Sequence, residues 1–209
     1  VGCFAKDEEE AAAEALLHPS LQHMLHHHAA QDALRLLGSA VLGAQLQGVH
    51  SNAAGDWASA NDGLFGSAIS RLLALDGGAD AMGLAQAGGY FVSADASGTA
   101  FSARNTGLEL RNVNDVLRLD DGTLLAATQG FVDFSSFPAT GTPGLFRSID
   151  HGEHWLHIPL EPLDETGHLY TRAIREVPGD PKTIWAGAGA DFDSDVGGLY
   201  RSTDGGMKW

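Results

Sequence analysis

Three carboxylates alternate along Asp191-Phe192-Asp193-Ser194-Asp195-Val196-Gly197. At that spacing in a loop, Asp191, Asp193 and Asp195 can converge on Ca²⁺, a hard cation that takes about six to eight oxygen ligands. The run departs from an EF-hand loop, because its glycine comes one place late and no Glu follows at the end. A second cluster is His23-Met24-Leu25-His26-His27-His28. On a helix His23 and His27 share one face with His26 beside them, a geometry open to Zn²⁺, Ni²⁺ or Cu²⁺. The same histidines also read as a polar stripe, since no Cys and no Glu at metalloprotease spacing stands near. Carboxylates for a glycosidase pair are present in Asp115, Asp164, Glu165 and Asp191, although nothing in one sequence pairs them.

The chemistry sits in an acidic chain of 209 residues with 27 acidic against 12 basic side chains and a formal charge of -15. Such a surface repels polyphosphate and no Lys/Arg cluster offsets it, so nucleic acid is excluded as a partner. No apolar run approaches the roughly 20 residues a membrane-spanning helix needs. The single Cys3 forbids an internal disulfide. The chain opens at Val1 rather than Met, which raises the expectation of a segment upstream.

Two regions must position these groups. Residues 1–37 read as a helical arm: Asp7 can cap, three glutamates suit the helix N-terminus, and Ala11 to Leu17 propagates it. Pro19 breaks that helix and opens another, in which Leu21, Met24, Leu25 and His28 share a face. From residue 38 the period becomes strand-like, with short apolar runs cut by Gly and Asp. Ala33 to Leu37 can either finish the helix or supply a first strand.

An internal repeat organises the second region. Gly144-Leu145-Phe146-Arg147-Ser148-Ile149-Asp150-His151-Gly152-Glu153-His154-Trp155 and Gly198-Leu199-Tyr200-Arg201-Ser202-Thr203-Asp204-Gly205-Gly206-Met207-Lys208-Trp209 share one pattern, their tryptophans 54 residues apart. Degenerate copies run from Gly48 to Trp57 and from Gly89 to Phe101. These two also share a tail, Asn61-Asp62-Gly63-Leu64 against Asn105-Thr106-Gly107-Leu108, which the later copies lack.

Ser-x-Asp-x-Gly-x-x-Trp resembles the Asp box of the BNR repeat family, which includes sialidases, some endoglucanases, sortilin-type receptors and photosystem II assembly factors. The resemblance covers residues 38–209 and implies a mainly β fold, a β-propeller whose boxes turn between the third and fourth strands of each blade. Ser148, Asp150, Gly152 and Trp155, with Ser202, Asp204, Gly206 and Trp209, are then fold residues. Asp accepts turn amides, Gly supplies positive φ, and Trp fills the space between sheets. About four blades are visible and the last lacks its fourth strand, so a partial propeller is expected.

Strand direction alternates within a blade, which places the long loops 129–143 and 188–197 on the face opposite the boxes. They rhyme, Val132-Asp133-Phe134-Ser135 against Ala190-Asp191-Phe192-Asp193-Ser194. Long loops on a rigid scaffold concentrate binding, so Asp133, Phe134, Asp191 and Phe192 are the candidate ligand or partner contacts. A sialidase of this family carries an early Arg-Ile-Pro motif, and here the nearest triplet is His157-Ile158-Pro159. The reading is therefore a non-catalytic, extracytoplasmic interaction or assembly module with a protein partner. The alternative is a glycoside hydrolase of sialidase or endoglucanase type acting on glycans.

Overall fold

The computed structural model describes residues 30–36, 39–44, 48–51, 58–64, 69–75, 80–85, 88–93, 98–109, 111–129, 142–161, 170–189 and 197–209. All regular structure there is β. Four separate antiparallel sheets follow one another along the chain, each a meander in which sequential strands pair. The first holds β1 (Ala30–Leu36), β2 (Ser39–Ala44), β3 (Gly48–Ser51) and β4 (Ala58–Ser59). The second holds β5 (Ile69–Leu75), β6 (Asp80–Ala85), β7 (Gly89–Ser93) and β8 (Phe101–Ala103). The third holds β9 (Val113–Arg118), β10 (Leu124–Thr128), β11 (Gly144–Ser148) and β12 (Leu156–Ile158). The fourth holds β13 (Tyr170–Val177), β14 (Asp180–Gly189) and β15 (Gly197–Ser202). The four repeat copies open on the third strand of their sheets, β3, β7, β11 and β15, as expected of turns that follow third strands.

One expectation is corrected. Ala30–Leu36, inside the stretch read as a helical arm, is strand β1, paired antiparallel with β2 from Leu36↔Ser39 to Ala30↔Ala44. Leucines at helical spacing and alanines favour a helix only weakly, and pairing with a neighbouring strand overrides that preference. Residues 1–29, with His23 and His27, lie outside the described residues.

The core lies between the sheets rather than within any one of them. Tyr90 and Val92 of the second sheet meet Val113, Val116, Leu124, Ala126, Phe146 and Trp155 of the third. Val49 and Ala60 of the first sheet meet Ile69, Leu72, Phe91 and Phe101 of the second. Leu125, Ala127 and Leu145 of the third meet Ile174, Ile184 and Ala188 of the fourth. Each strand thus sends alternate side chains to opposite neighbours, which is why central strands such as Leu124–Thr128 are buried throughout.

The two strong repeat turns are built alike. In the third sheet Ser148 Oγ accepts the Gly152 amide at 2.9 Å and donates to Asp150 Oδ1 at 2.8 Å. Asp150 Oδ1 also takes the His154 amide at 3.0 Å. In the fourth, Ser202 Oγ accepts the Gly206 amide at 2.9 Å and donates to Asp204 Oδ1 at 2.8 Å. Asp204 Oδ1 takes the amides of Met207 and Lys208 at 3.0 and 2.9 Å. Gly152 and Gly206 both hold φ near +85° and lie against the preceding sheet, on the Tyr90 ring and on Leu125. A side chain at either position would have no room.

Candidate functional site

The first strands of the sheets carry a polar frame at the end where the two long loops begin. β9 presents Asn114 and Asp115 there. Asp115 is almost fully buried, and its carboxyl oxygens are satisfied from the neighbouring sheets. Its Oδ2 accepts the Ile174 amide at 3.0 Å and bonds the Arg175 guanidinium, while Oδ1 lies 3.9 Å from Arg71 Nε. β5, β9 and β13, the opening strands of three successive sheets, thus meet around one carboxylate. A buried carboxylate is tolerated only with such pairing and hydrogen bonds, and here it has both.

Beside it, Asn114 Nδ2 donates to Thr171 O at 3.1 Å and to Gln129 Oε1 at 3.3 Å. Arg172 Nη1 donates to the same Gln129 oxygen at 3.3 Å. Gln129 is the first residue of the longer loop, and its amide is bound to Asn112 O at 2.9 Å. The loop's far root is fixed as firmly. The Gly144 amide donates to Thr128 Oγ1 at 3.0 Å, and the Thr142 amide donates to Glu109 Oε2 at 2.7 Å. That bond holds the Glu109 carboxyl below its ordinary range. The second loop springs from the Gly189↔Gly197 pair, where Gly197 lies against Gly189 with no space for a Cβ.

The frame therefore roots both long loops on one end of the sheets. The opposite end carries the repeat turns and the β13–β14 turn, joined where the Gly205 amide donates to Lys182 O at 3.1 Å. Separation of the two ends follows from strand alternation, as expected. Asp133 and Phe134 of the first loop, and Asp191, Phe192, Asp193 and Asp195 of the second, fall outside the described residues, as do Asp164 and Glu165. Among the described residues no group of three His, Cys, Asp or Glu side chains is placed to hold a metal ion. No described helix is long and apolar enough to cross a membrane.

Sequence reasoning named Asp115 only among the carboxylates available for a glycosidase pair and missed Arg71, Asn114, Gln129, Arg172 and Arg175. Their partners lie up to 60 residues away, and no local pattern announces them.

No family model and no curated protein matches the chain. Solved structures do. An ancestral GH74 enzyme aligns with TM-score 0.58 and 19% identity over 86% of this chain and 23% of its own. The GH74 xyloglucanase from Xanthomonas campestris gives 0.58 and 18% over 82% of this chain and 27% of its own. YCF48 bound to D1 peptide gives 0.52 and 18% over 85% of this chain and 51% of its own.

The fold is β-propeller-like. The four sheets correspond to blades of such a fold, and the frame lies where the opening strands β5, β9 and β13 meet. At these identities the likeness shows the fold alone, and the chain spans about half or less of each of these proteins.

Proposed function

We propose that this chain is a non-catalytic, extracytoplasmic propeller module of the Asp-box type that docks a protein partner on its loop-bearing face. The observation that supports it is the frame of Asn114, Asp115, Gln129, Arg172 and Arg175. It bonds the third and fourth blades together at the end from which the two long loops start. Rigid seats under variable loops are how binding surfaces are built. One structural neighbour, YCF48, is a protein with a bound peptide, so this fold can present a peptide-binding surface.

Glycan hydrolysis is the second reading, favoured by the two GH74 neighbours. A general acid must give up a proton, but Asp115, the buried carboxylate of the frame, is occupied as an acceptor by Arg175 and the Ile174 amide. Its partner carboxylate would have to come from a loop.

A photocrosslinker placed at Arg111, exposed beside the loop root where the Gln129 amide meets Asn112 O, and another at Lys208, on the turn face, test the reading in the protein's native setting. Protein crosslinks from position 111 alone support it. Crosslinks from neither position, or sugar release from xyloglucan by the purified protein, overturn it.

A further inference from the structure

We propose that two copies of this chain close head to tail into one ring, the fourth sheet of each packing on the first sheet of the other. The contact is separate from the loop-face docking above and follows from the way each sheet meets the next.

The sheets repeat one register, and residues opposite each other across antiparallel strands share a face. Ala33, Leu42 and His50 stand in a row across the first sheet, and Leu72, Gly83 and Phe91 across the second. Val116, Ala126 and Phe146 form the row of the third, and Ile174, Ala186 and Tyr200 that of the fourth. In the second, third and fourth sheets this row packs on the sheet before it. Among the described residues no core cluster lies on the row of the first sheet. His50, at its end, is half-buried, and its Nδ1 has no hydrogen-bond partner there.

The residue one step earlier on each third strand faces the following sheet. Val49, Tyr90 and Leu145 hold that place, each fully buried in the core shared with the next sheet. Leu199 holds it in the fourth sheet and is 68% exposed. Beside it, the pair Trp185 and Arg201 matches Leu125 and Arg147 of the third sheet, with the guanidinium 5.7 Å from the indole centre. Leu125 is fully buried, Trp185 only half. A leucine and a tryptophan left open on a packing face mark an interface. In every junction described, the surface that covers this face is the row of a following sheet. The first sheet of a second copy offers that row.

The opening strands set the same step with polar groups. Their pairing skips one residue in each sheet, Gln31, Ser70, Asn114 and Arg172. Ser70 Oγ donates to Val113 O at 2.9 Å and Asn114 Nδ2 to Thr171 O at 3.1 Å, each reaching the residue just before the next skipped position. Arg172 is the donor at this step in the fourth sheet, and the corresponding acceptor in a second copy is the Ala30 carbonyl. A two-fold axis makes both junctions at once, so two copies of four sheets close at eight blades, inside the range of roughly four to eight.

Light scattering of the intact chain on a sizing column, from about 1 to 100 μM, is expected to give two copies. Leu199→Asp places a charge in each junction and should weaken the dimer about a hundredfold or more, with circular dichroism unchanged because Leu199 is exposed in the single chain. His50→Glu charges the opposite surface and should separate the copies as well. Leu156→Asp, at a leucine of β12 that is 73% exposed, should leave the dimer intact.

Wild-type protein that stays a monomer across this range overturns the proposal, whatever then covers Leu199. A dimer that survives Leu199→Asp overturns this face, as does equal loss in Leu156→Asp. A dimer lost in Leu199→Asp but kept in His50→Glu overturns the first sheet as the opposing surface. Masses that climb past two copies overturn the closed ring in favour of an open array.

Discussion

The junction between the second and third blades and the junction between the third and fourth share polar contacts at the loop end, but among the described residues only the first carries a backbone latch from the preceding tail at the repeat-turn end. At the first, the Asn105-Thr106-Gly107-Leu108 turn reaches across at the repeat-turn end. Thr106 O accepts the Trp155 amide at 2.8 Å, and Arg104 O accepts the Trp155 indole N–H at 3.0 Å. Arg104 also donates to His151 O and pairs with Glu153 at 3.2 Å. Tyr90 packs edge-on against Trp155, with ring centroids 5.2 Å apart.

The junction before it repeats this device, with the Phe101 amide donating to Asp62 O at 2.8 Å. After β12 the chain reads Pro159-Leu160-Glu161, without the Asn-x-Gly-Leu turn. Trp209 bonds Gly206 O within its own turn instead. This junction has an apolar core and, at its loop end, the Asp115–Arg175 frame. Among the described residues this junction is therefore held by its apolar core and the charged contact at the loop end.

The largest effect separating the two junctions is expected from Gly107→Ala. Gly107 sits at φ +88°, and a Cβ there would overlap Trp155 O. Gly122, at φ +85° with open space around it, is the matched control. Gly122→Ala should cost about 1 kcal/mol of left-handed strain, and Gly107→Ala about 3 kcal/mol or more, measured by chemical denaturation. Equal losses would mean that the latch contributes nothing.

A smaller effect follows at the other junction. Asp115→Asn removes the charge that holds Arg175 and weakens the acceptor for the Ile174 amide. About 1–3 kcal/mol should be lost, with amides of β13 gaining hydrogen exchange more than those of β5 to β8. Uniform exchange across the chain would count against a separable fourth blade.

The smallest effect concerns pH. Bonds from the His154 amide and side chain and from Ser148 hold the Asp150 carboxyl down at about 2, against an ordinary 3.8. A carboxyl depressed on folding stabilises above its unfolded value, and that stabilisation is lost as pH falls toward the folded value. Wild-type melting temperature should therefore drop between about pH 4 and pH 2 more steeply than that of Asp150→Asn. Parallel curves would remove Asp150 from the account of the turn.

How far the sequence speaks depends on the range of the interaction. The third strands β3, β7, β11 and β15 were legible because each begins a copy of the repeat, and the strand-like period from residue 38 because Gly and Asp punctuate its apolar runs. The Asn61 and Asn105 tails were visible as a repeat, but their purpose was not. Each accepts a backbone amide with its side chain, Val49 at 2.7 Å and Tyr90 at 2.8 Å, while its turn grips the next blade. Ala33 to Leu37 stayed open between helix and strand because the two compete closely in a short leucine-rich stretch, and pairing of Ala30–Leu36 with β2 gives the strand. Arg172 and Arg175 looked like two of nine scattered arginines, since their partners Gln129 and Asp115 lie 43 and 60 residues off.

The turn-end latch also governs the entropy of assembly. In both copies the accepting carbonyl, of Asp62 or Thr106, precedes the amide it meets, of Phe101 or Trp155. Each latch closes a loop of about forty to fifty residues, and the cost of closure rises only with the logarithm of that length. It does not rise with the number of blades already formed, because each of the two latched blades closes on its immediate predecessor. Lengthening or shortening such an array therefore leaves the cost of each remaining step unchanged, and no single junction encodes how many blades there are.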